Sequence, residues 1–345
     1  MRGSSRDGVA AALMAAALFG VGTPIAKLLL PGTGPLLLAG LLYLGAGIGL
    51  SVLGLVRRAP REAPLRRSDL PLLAGVVLAG GVAAPVLLLL GLEQLPAVDA
   101  SLLLNLEAPF TVLLAVALFG EHLGARSLVA TVLIVLGGAV LSGGSTNLGG
   151  RWLGSALVIA ACVGWAVDNN LTQRLSLRDP VAITLVKTLA AGTINLTLAL
   201  ATGHPLPAWS RLTAALALGT VSYGASIALA VHAMRLLGAA RQAALFAVAP
   251  FAGALAAVPL LGERLEPVAA ALMAAGVVLL ARERHEHEHA HEPLEHDHLH
   301  VHDEHHAHEH AGNVALVEPH SHPHRHERLS HAHPHVSDAH HRHGH

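Results

Sequence analysis

Residues 95–141 read LPAVDASLLLNLEAPFTVLLAVALFGEHLGARSLVATVLIVLGGAVL, and residues 237–280 read LGAARQAALFAVAPFAGALAAVPLLGERLEPVAAALMAAGVVLL. Pro109 aligns with Pro250. With one residue inserted, Gly120-Glu121-His122-Leu123 aligns with Gly262-Glu263-Arg264-Leu265. Each copy is an apolar helix containing a proline, a short Gly-Glu turn and a second apolar helix. A membrane hairpin that recurs in this way predicts a carrier built from two related halves.

Working outward, the 345 residues have a mean hydropathy of +0.54 and are only 13% charged. Aromatics make up 3%, so the apolar mass is Leu, Ala, Val and Gly. Several apolar runs reach the roughly 20 residues that cross a hydrocarbon core. Small residues at this frequency suit helices that approach closely in lipid. The single cysteine, Cys162, excludes a disulfide framework and reads as a small core residue. Arg2 and Arg6 precede a long apolar run without a short signal core and cleavage site, so the first span is expected to act as its own insertion signal.

Ten spans follow from the apolar runs, near 8–30, 35–56, 70–92, 98–119, 125–142, 152–173, 180–202, 211–233, 239–261 and 266–282. With a cytoplasmic N-terminus, fourteen arginines fall on one side: Arg2, Arg6, Arg57, Arg58, Arg61, Arg66, Arg67, Arg126, Arg174, Arg178, Arg235, Arg241, Arg282 and Arg284. The other side receives Arg151, Arg211 and Arg264. Excess basic charge marks the cytoplasmic side. Both termini are therefore expected there. The starts of the halves also align without gaps, Gly8–Lys27 with Gly154–Gln173. An odd number of spans per half sets the repeats upside down relative to each other, which creates a path that opens alternately to either side. The expected architecture is an all-α polytopic membrane protein of ten transmembrane helices in two inverted five-helix repeats, residues 1–142 and 152–282. A linker, 143–151, joins them, and a disordered histidine-rich tail, 283–345, follows.

This plan, with its proline-bearing fourth and ninth spans and paired Gly-Glu turns at Glu121 and Glu263, resembles the EamA-type transporters of the drug/metabolite transporter superfamily. The resemblance covers roughly residues 8–282 and rests on a diffuse pattern that occurs twice. It implies a carrier in a bacterial-type cytoplasmic (inner) membrane that moves small molecules, commonly outward, and it supplies no substrate. The long histidine tail departs from the family pattern.

Ionisable groups at membrane depth are costly unless paired or wet, so each is a site candidate. Glu107 sits mid-span in LLLNLEAPF, two residues before Pro109, and its repeat mate is Val248. It reads either as a substrate- or proton-binding acid or as the structural partner of a base. Asp168, Asn169 and Asn170 sweep most of a helical turn, so at least one should face a cavity or a neighbouring helix. Lys187 is the natural countercharge for Asp168, and an ion pair and a cavity role are compatible. Lys27 reads as snorkelling to the outer interface, and the resemblance adds a chance that it lines the path. Tyr223, Asn195, Ser222 and Ser226 are expected to hydrogen-bond in a cavity or between helices. Asp99 reads as solvated, and Glu121 and Glu263 as capping or orienting the hairpins. The candidate substrate-binding set is thus Glu107, Asp168, Asn169, Asn170, Lys187, Lys27 and Tyr223. No Walker-type phosphate loop and no nucleophilic triad stands in the chain, which is read as no enzyme and as driven by an ion or solute gradient.

The tail holds 23 of the 26 histidines, in runs such as HEHEHAHEPLEHDHLHVHDEHHAHEH. Dense charge and low hydrophobicity predict that it does not fold alone. Neutral imidazole with nearby carboxylates suits Ni, Co, Zn or Cu ions. The candidate ligands are His285, His287, His289, His291, His296, His298, His300, His302, His305, His306, His308 and His310. The tail could serve a carrier of an organic solute as a metal buffer or sensor, concentrate a metal that the carrier itself moves, act as a pH-responsive polyelectrolyte, or make the chain a membrane-anchored metal store. The first reading is preferred because no span carries paired histidines. The expected partners are the bilayer, a small-molecule substrate, divalent transition metals and, as an option, a second copy of the chain; no nucleic acid is expected, and no cofactor is required.

Overall fold

The computed structural model describes residues 2–57, 63–119, 124–143, 151–175, 178–237, 239–281, 285–291, 294–300, 320–326 and 329–335. Among these, nine helices are long and apolar enough to cross a membrane. They are α1 (Arg6–Leu29), α2 (Pro35–Gly54), α3 (Arg67–Gln94), α4 (Ala97–Leu118), α5 (Ala125–Ser142), α6 (Trp152–Arg174), α7 (Pro180–Ala201), α8 (Trp209–Met234) and α9 (Arg241–Leu261). A shorter apolar helix, α10 (Pro267–Ala281), follows them. Each expected span has a helical counterpart, although the last is too short to count among the nine.

The packing repeats itself. α2 lies on α7, α4 on α9 and α5 on α10, while the contacts of α1 with α8 and α9 are matched by those of α6 with α3 and α4. Exchanging α1–α5 with α6–α10 leaves this pattern unchanged. Close approach at the crossings depends on glycine. A Cβ on Gly192 would stand 2.7 Å from the backbone nitrogen of Leu44, and one on Gly253 would stand 2.7 Å from the carbonyl oxygen of Gly20. Small residues let backbones meet where lipid offers no hydrophobic drive.

Neither half uses uninterrupted α-helix. α3 widens to a π-helix at Val77–Ala83, and α8 does so at the matching place, Gly219–Ala225. α4 tightens to a 3₁₀ turn at Leu104–Leu106, and α9 breaks between Phe246 and Ala249. Both breaks precede the repeated prolines, Pro109 and Pro250, whose rings cannot continue the hydrogen-bond ladder. Non-helical backbone at this depth is tolerated only where protein or a water-lined cavity satisfies it. These breaks therefore mark the centre of the bundle.

Four segments of the tail run as short strands. β1 (His285–His291) pairs with β4 (Leu329–His335), and β2 (Leu294–His300) with β3 (His320–His326), both antiparallel. His-x-His alternation has the two-residue period of a strand. Isolated two-stranded ladders are marginal in water, so this pairing adds little stability. Of the candidate metal ligands, His285 to His300 lie on β1 and β2, whereas His302, His305, His306, His308 and His310 fall outside the described residues.

Candidate functional site

The π-segment of α3 is the scaffold of the central region. Its Gly80 carbonyl accepts from Tyr43 Oη at 2.8 Å and from Trp165 Nε1 at 3.0 Å. Asn195 Nδ2 lies 3.5 Å from the carbonyls of Gly81 and Val82. Carbonyls loosened by the π-turn are thus met by donors from α2, α6 and α7. Gly80 also makes room for a charge: a Cβ there would collide with the Asp168 side chain, and one on Gly81 would sit 3.5 Å from Lys187 Cγ. Across these two glycines Lys187 Nζ donates to Asp168 Oδ2 in a buried ion pair. Thr172 Oγ1 donates to the other oxygen, Asp168 Oδ1, at 3.1 Å. The carboxylate of Asp168, in a residue only 3% exposed, is fully engaged.

Glu107 opens the second segment of α4, directly after the 3₁₀ turn. Its partner is an amide: Asn169 Nδ2 donates to Glu107 Oε1 at 2.7 Å. No lysine or arginine among the described residues pairs with it. The reading of Glu107 as the structural mate of a base is therefore not what the fold builds. Thr111, one turn on, donates to the Glu107 carbonyl at 2.9 Å, and Asn170 Nδ2 donates to the carbonyls of Thr111 at 3.1 Å and Ala166 at 2.8 Å. α4 and α6 are thus stitched together by polar groups around Glu107.

Asn169 is exposed. Leu153, Ala156, Ala160 and Val163 form a row of exposed apolar residues on α6. At about 3.6 residues per turn, Asn169 falls on nearly the opposite side of the helix from that row. It lies instead on the side of α6 turned towards α4, where it reaches Glu107 and Thr111. Glu107 and Asn169 together place a carboxylate and an exposed amide at the α4–α6 contact.

Aromatic rings flank the same centre. Tyr223, in the π-segment of α8, meets Phe19 edge-on at 5.3 Å and Tyr43 at 5.7 Å, and Phe19 meets Phe246 at 5.5 Å. Ser222 packs on Gly22, where a Cβ would stand 2.9 Å from its Oγ, and Ser226 donates to the Ala15 carbonyl at 2.8 Å. These two serines join α8 to α1.

Lys27 is not with the others. It lies where α1 ends, and instead of snorkelling freely it donates to the Leu95 carbonyl and pairs with Glu263 Oε1 at 3.4 Å. Glu263 Oε2 accepts from the backbone N–H of Val98 at 2.8 Å. The second Gly-Glu turn therefore caps α4, a helix of the other half, rather than its own hairpin. Asp99, beside this cap, is 6% exposed and not solvated as expected. Its position in the first turn of α4 suits a carboxylate. Glu121 lies outside the described residues. At the opposite end of the bundle, Arg178 Nε and Nη2 donate to Asp69 at 2.7 and 3.3 Å, fastening the α6–α7 turn to the start of α3.

The sequence reading missed Tyr43, Trp165 and Thr111. Thr111 carried a signal, a hydroxyl one turn from Glu107; the donors to Gly80 carried none, because they matter only once α3 adopts a π-turn. Among the described residues no group of three His, Cys, Asp or Glu side chains is placed to hold a metal.

Comparison with known proteins gives the family. The sequence profile described as EamA-like transporter family matches residues 6–143 and again 152–282. An uncharacterized transporter of Methanothermobacter thermautotrophicus is 33% identical over 289 residues, covering 78% of this chain and 84% of that protein. A solved structure described only as a crystal structure of a protein superposes with a TM-score of 0.57 at 22% identity, over 79% of this chain and 97% of that one, and shows the fold alone. The chain is a polytopic membrane transporter and belongs to the EamA-like transporter family.

Proposed function

We propose that the chain is a secondary transporter that exports a small solute by alternating access between two inverted five-helix halves. It sits in a cytoplasmic membrane with both termini inside, and its histidine-rich tail binds divalent transition metal. The double match of the family profile and the exchange pattern of helix contacts support the two halves. The observation that carries the reading is Glu107: an acid without a basic partner among the described residues, on a broken helix, bonded to an exposed amide of α6. Asp168 and Lys187 hold α6 and α7 against α3 beside it, and the aromatic rings of Phe19, Tyr43 and Tyr223 pack together between α1, α2 and α8. Lys27 belongs to a closure at the far end, and the tail, on compositional grounds, buffers or senses metal in the cytoplasm.

The test separates tail from path. Cells expressing the full chain, the chain ending after Arg284, or Glu107→Ala are compared for content of and tolerance to nickel, cobalt, zinc and copper. We expect extra bound metal to disappear with the tail and to persist in Glu107→Ala. Loss of a metal phenotype in Glu107→Ala, with the tail intact, would mean that the path itself carries the metal.

A further inference from the structure

We propose that the solute is an organic cation carrying N–H groups, a primary or secondary ammonium, held by Glu107 on the α4–α6 seam. The inference deepens the transport reading above and rests on it.

Charge is the first argument. The groups at the centre are Glu107, Asp168 and Lys187, and Lys187 is bound to Asp168. Lys27 is paired with Glu263 at the far end. Glu107 is thus left as an acid with no basic partner among the described residues, in surroundings where a charge is weakly screened. A cationic ligand satisfies it. An anion would meet repulsion and would have to part Asp168 from Lys187.

Hydrogen-bond capacity is the second argument, and it is independent of charge. The donors of the seam are all engaged within the protein: Asn169 Nδ2 on Glu107, the Thr111 hydroxyl on the Glu107 carbonyl, and Asn170 Nδ2 on two carbonyls. These contacts fix both amides with nitrogen toward oxygen, since the flipped forms would set acceptor against acceptor. What remains are acceptors. Asn170 Oδ1, in a residue 3% exposed, has no hydrogen-bond partner at all, a costly condition for a buried polar atom. A ligand that fits this seam brings donors. A carboxylate or phosphate brings none, and a quaternary ammonium brings charge without N–H.

Untargeted mass spectrometry of medium and cytosol is the test, on cells carrying vector, the full chain, Glu107→Gln or Glu107→Asp, with each protein's abundance in the membrane fraction measured alongside. The expected result is that solutes redistributed by the full chain carry an N–H-bearing cationic group. Glu107→Gln should reduce the redistribution roughly tenfold or more, the scale of about 1.4 kcal/mol of lost interaction. Glu107→Asp, which keeps the charge, should retain a measurable part. Redistributed solutes that are anionic, neutral or quaternary would overturn the proposal and leave transport standing, even if Glu107→Gln failed to accumulate. No difference between vector and full chain would overturn the transport reading itself.

Discussion

Replacing Asp168 by Asn should be among the most damaging single changes in the chain. It leaves Lys187 charged and without its carboxylate, between α3 and α6, and if the remaining oxygen stays with Thr172 it turns an amide NH2 towards the ammonium. Removing one partner of a buried ion pair costs about 3–5 kcal/mol, because the surviving charge is left uncompensated. The protein has no room to adapt, since Gly80 already gives up its side chain to let Asp168 in. We expect Asp168→Asn to lower the thermal midpoint of the detergent-purified chain sharply and to reduce its abundance in membranes. Asp168→Leu combined with Lys187→Met should recover most of the loss, since well-packed apolar pairs often replace buried ion pairs without penalty. A single Asn variant as stable as the parent would show that the pair is not structural.

The second large effect is expected at the far end of the bundle. Glu263 does two things with its two oxygens: one pairs with Lys27 and the other accepts the N–H of Val98 at the start of α4. Lys27 in turn holds the Leu95 carbonyl at the end of α3. One carboxylate thereby ties α1, α3, α4 and the α9–α10 turn together. The ion pair alone is partly exposed and contributes modestly, whereas losing a helix cap costs about 0.5–2 kcal/mol. Glu263→Gln leaves a single oxygen for both Lys27 and the Val98 N–H, so it should weaken the closure at least as much as Lys27→Met does. The cavity beside it, about 310 Å³ and lined by Lys27, Leu30, Pro31, Leu92 and Glu93, gives a readout. Leu30 is 4% exposed. In a Cys162→Ala background, Leu30→Cys should react slowly with a membrane-impermeant maleimide, and roughly tenfold faster once Glu263→Gln is added, as about 1.4 kcal/mol of closure is lost. Equal rates would mean that this contact does not hold the end shut.

Much of this was legible in the residues. Apolar runs bounded by glycine, proline and arginine located the helices, because in lipid a spanning segment has few alternatives. The Asp168–Lys187 pair was readable for a related reason: two opposite charges on consecutive spans have strong cause to meet. The repeated Pro109 and Pro250 marked the breaks. What stayed hidden depends on contacts distant in sequence. Glu263 binds Val98, 165 positions away, and nothing local to Gly262-Glu263 tells its own hairpin from another helix. The π-segments were equally silent, since VLAGGVA and GTVSYGA share little beyond small residues. Asp99 was misread as wet because burial at a helix start depends on what packs over it.

Alternating access through the proposed site requires that Glu107 and Asn169 be reached from one end of the bundle at a time. Asn169→Cys in a Cys162→Ala background tests it most directly, by labelling with an impermeant maleimide from either face of the membrane, in intact cells and in inverted vesicles. The account predicts reaction from the cytoplasmic face while the Lys27–Glu263 closure is intact, and reaction from the opposite face only when Glu263→Gln is also present. Labelling at equal rates from both faces with the closure intact, or from neither face in any variant, would contradict it.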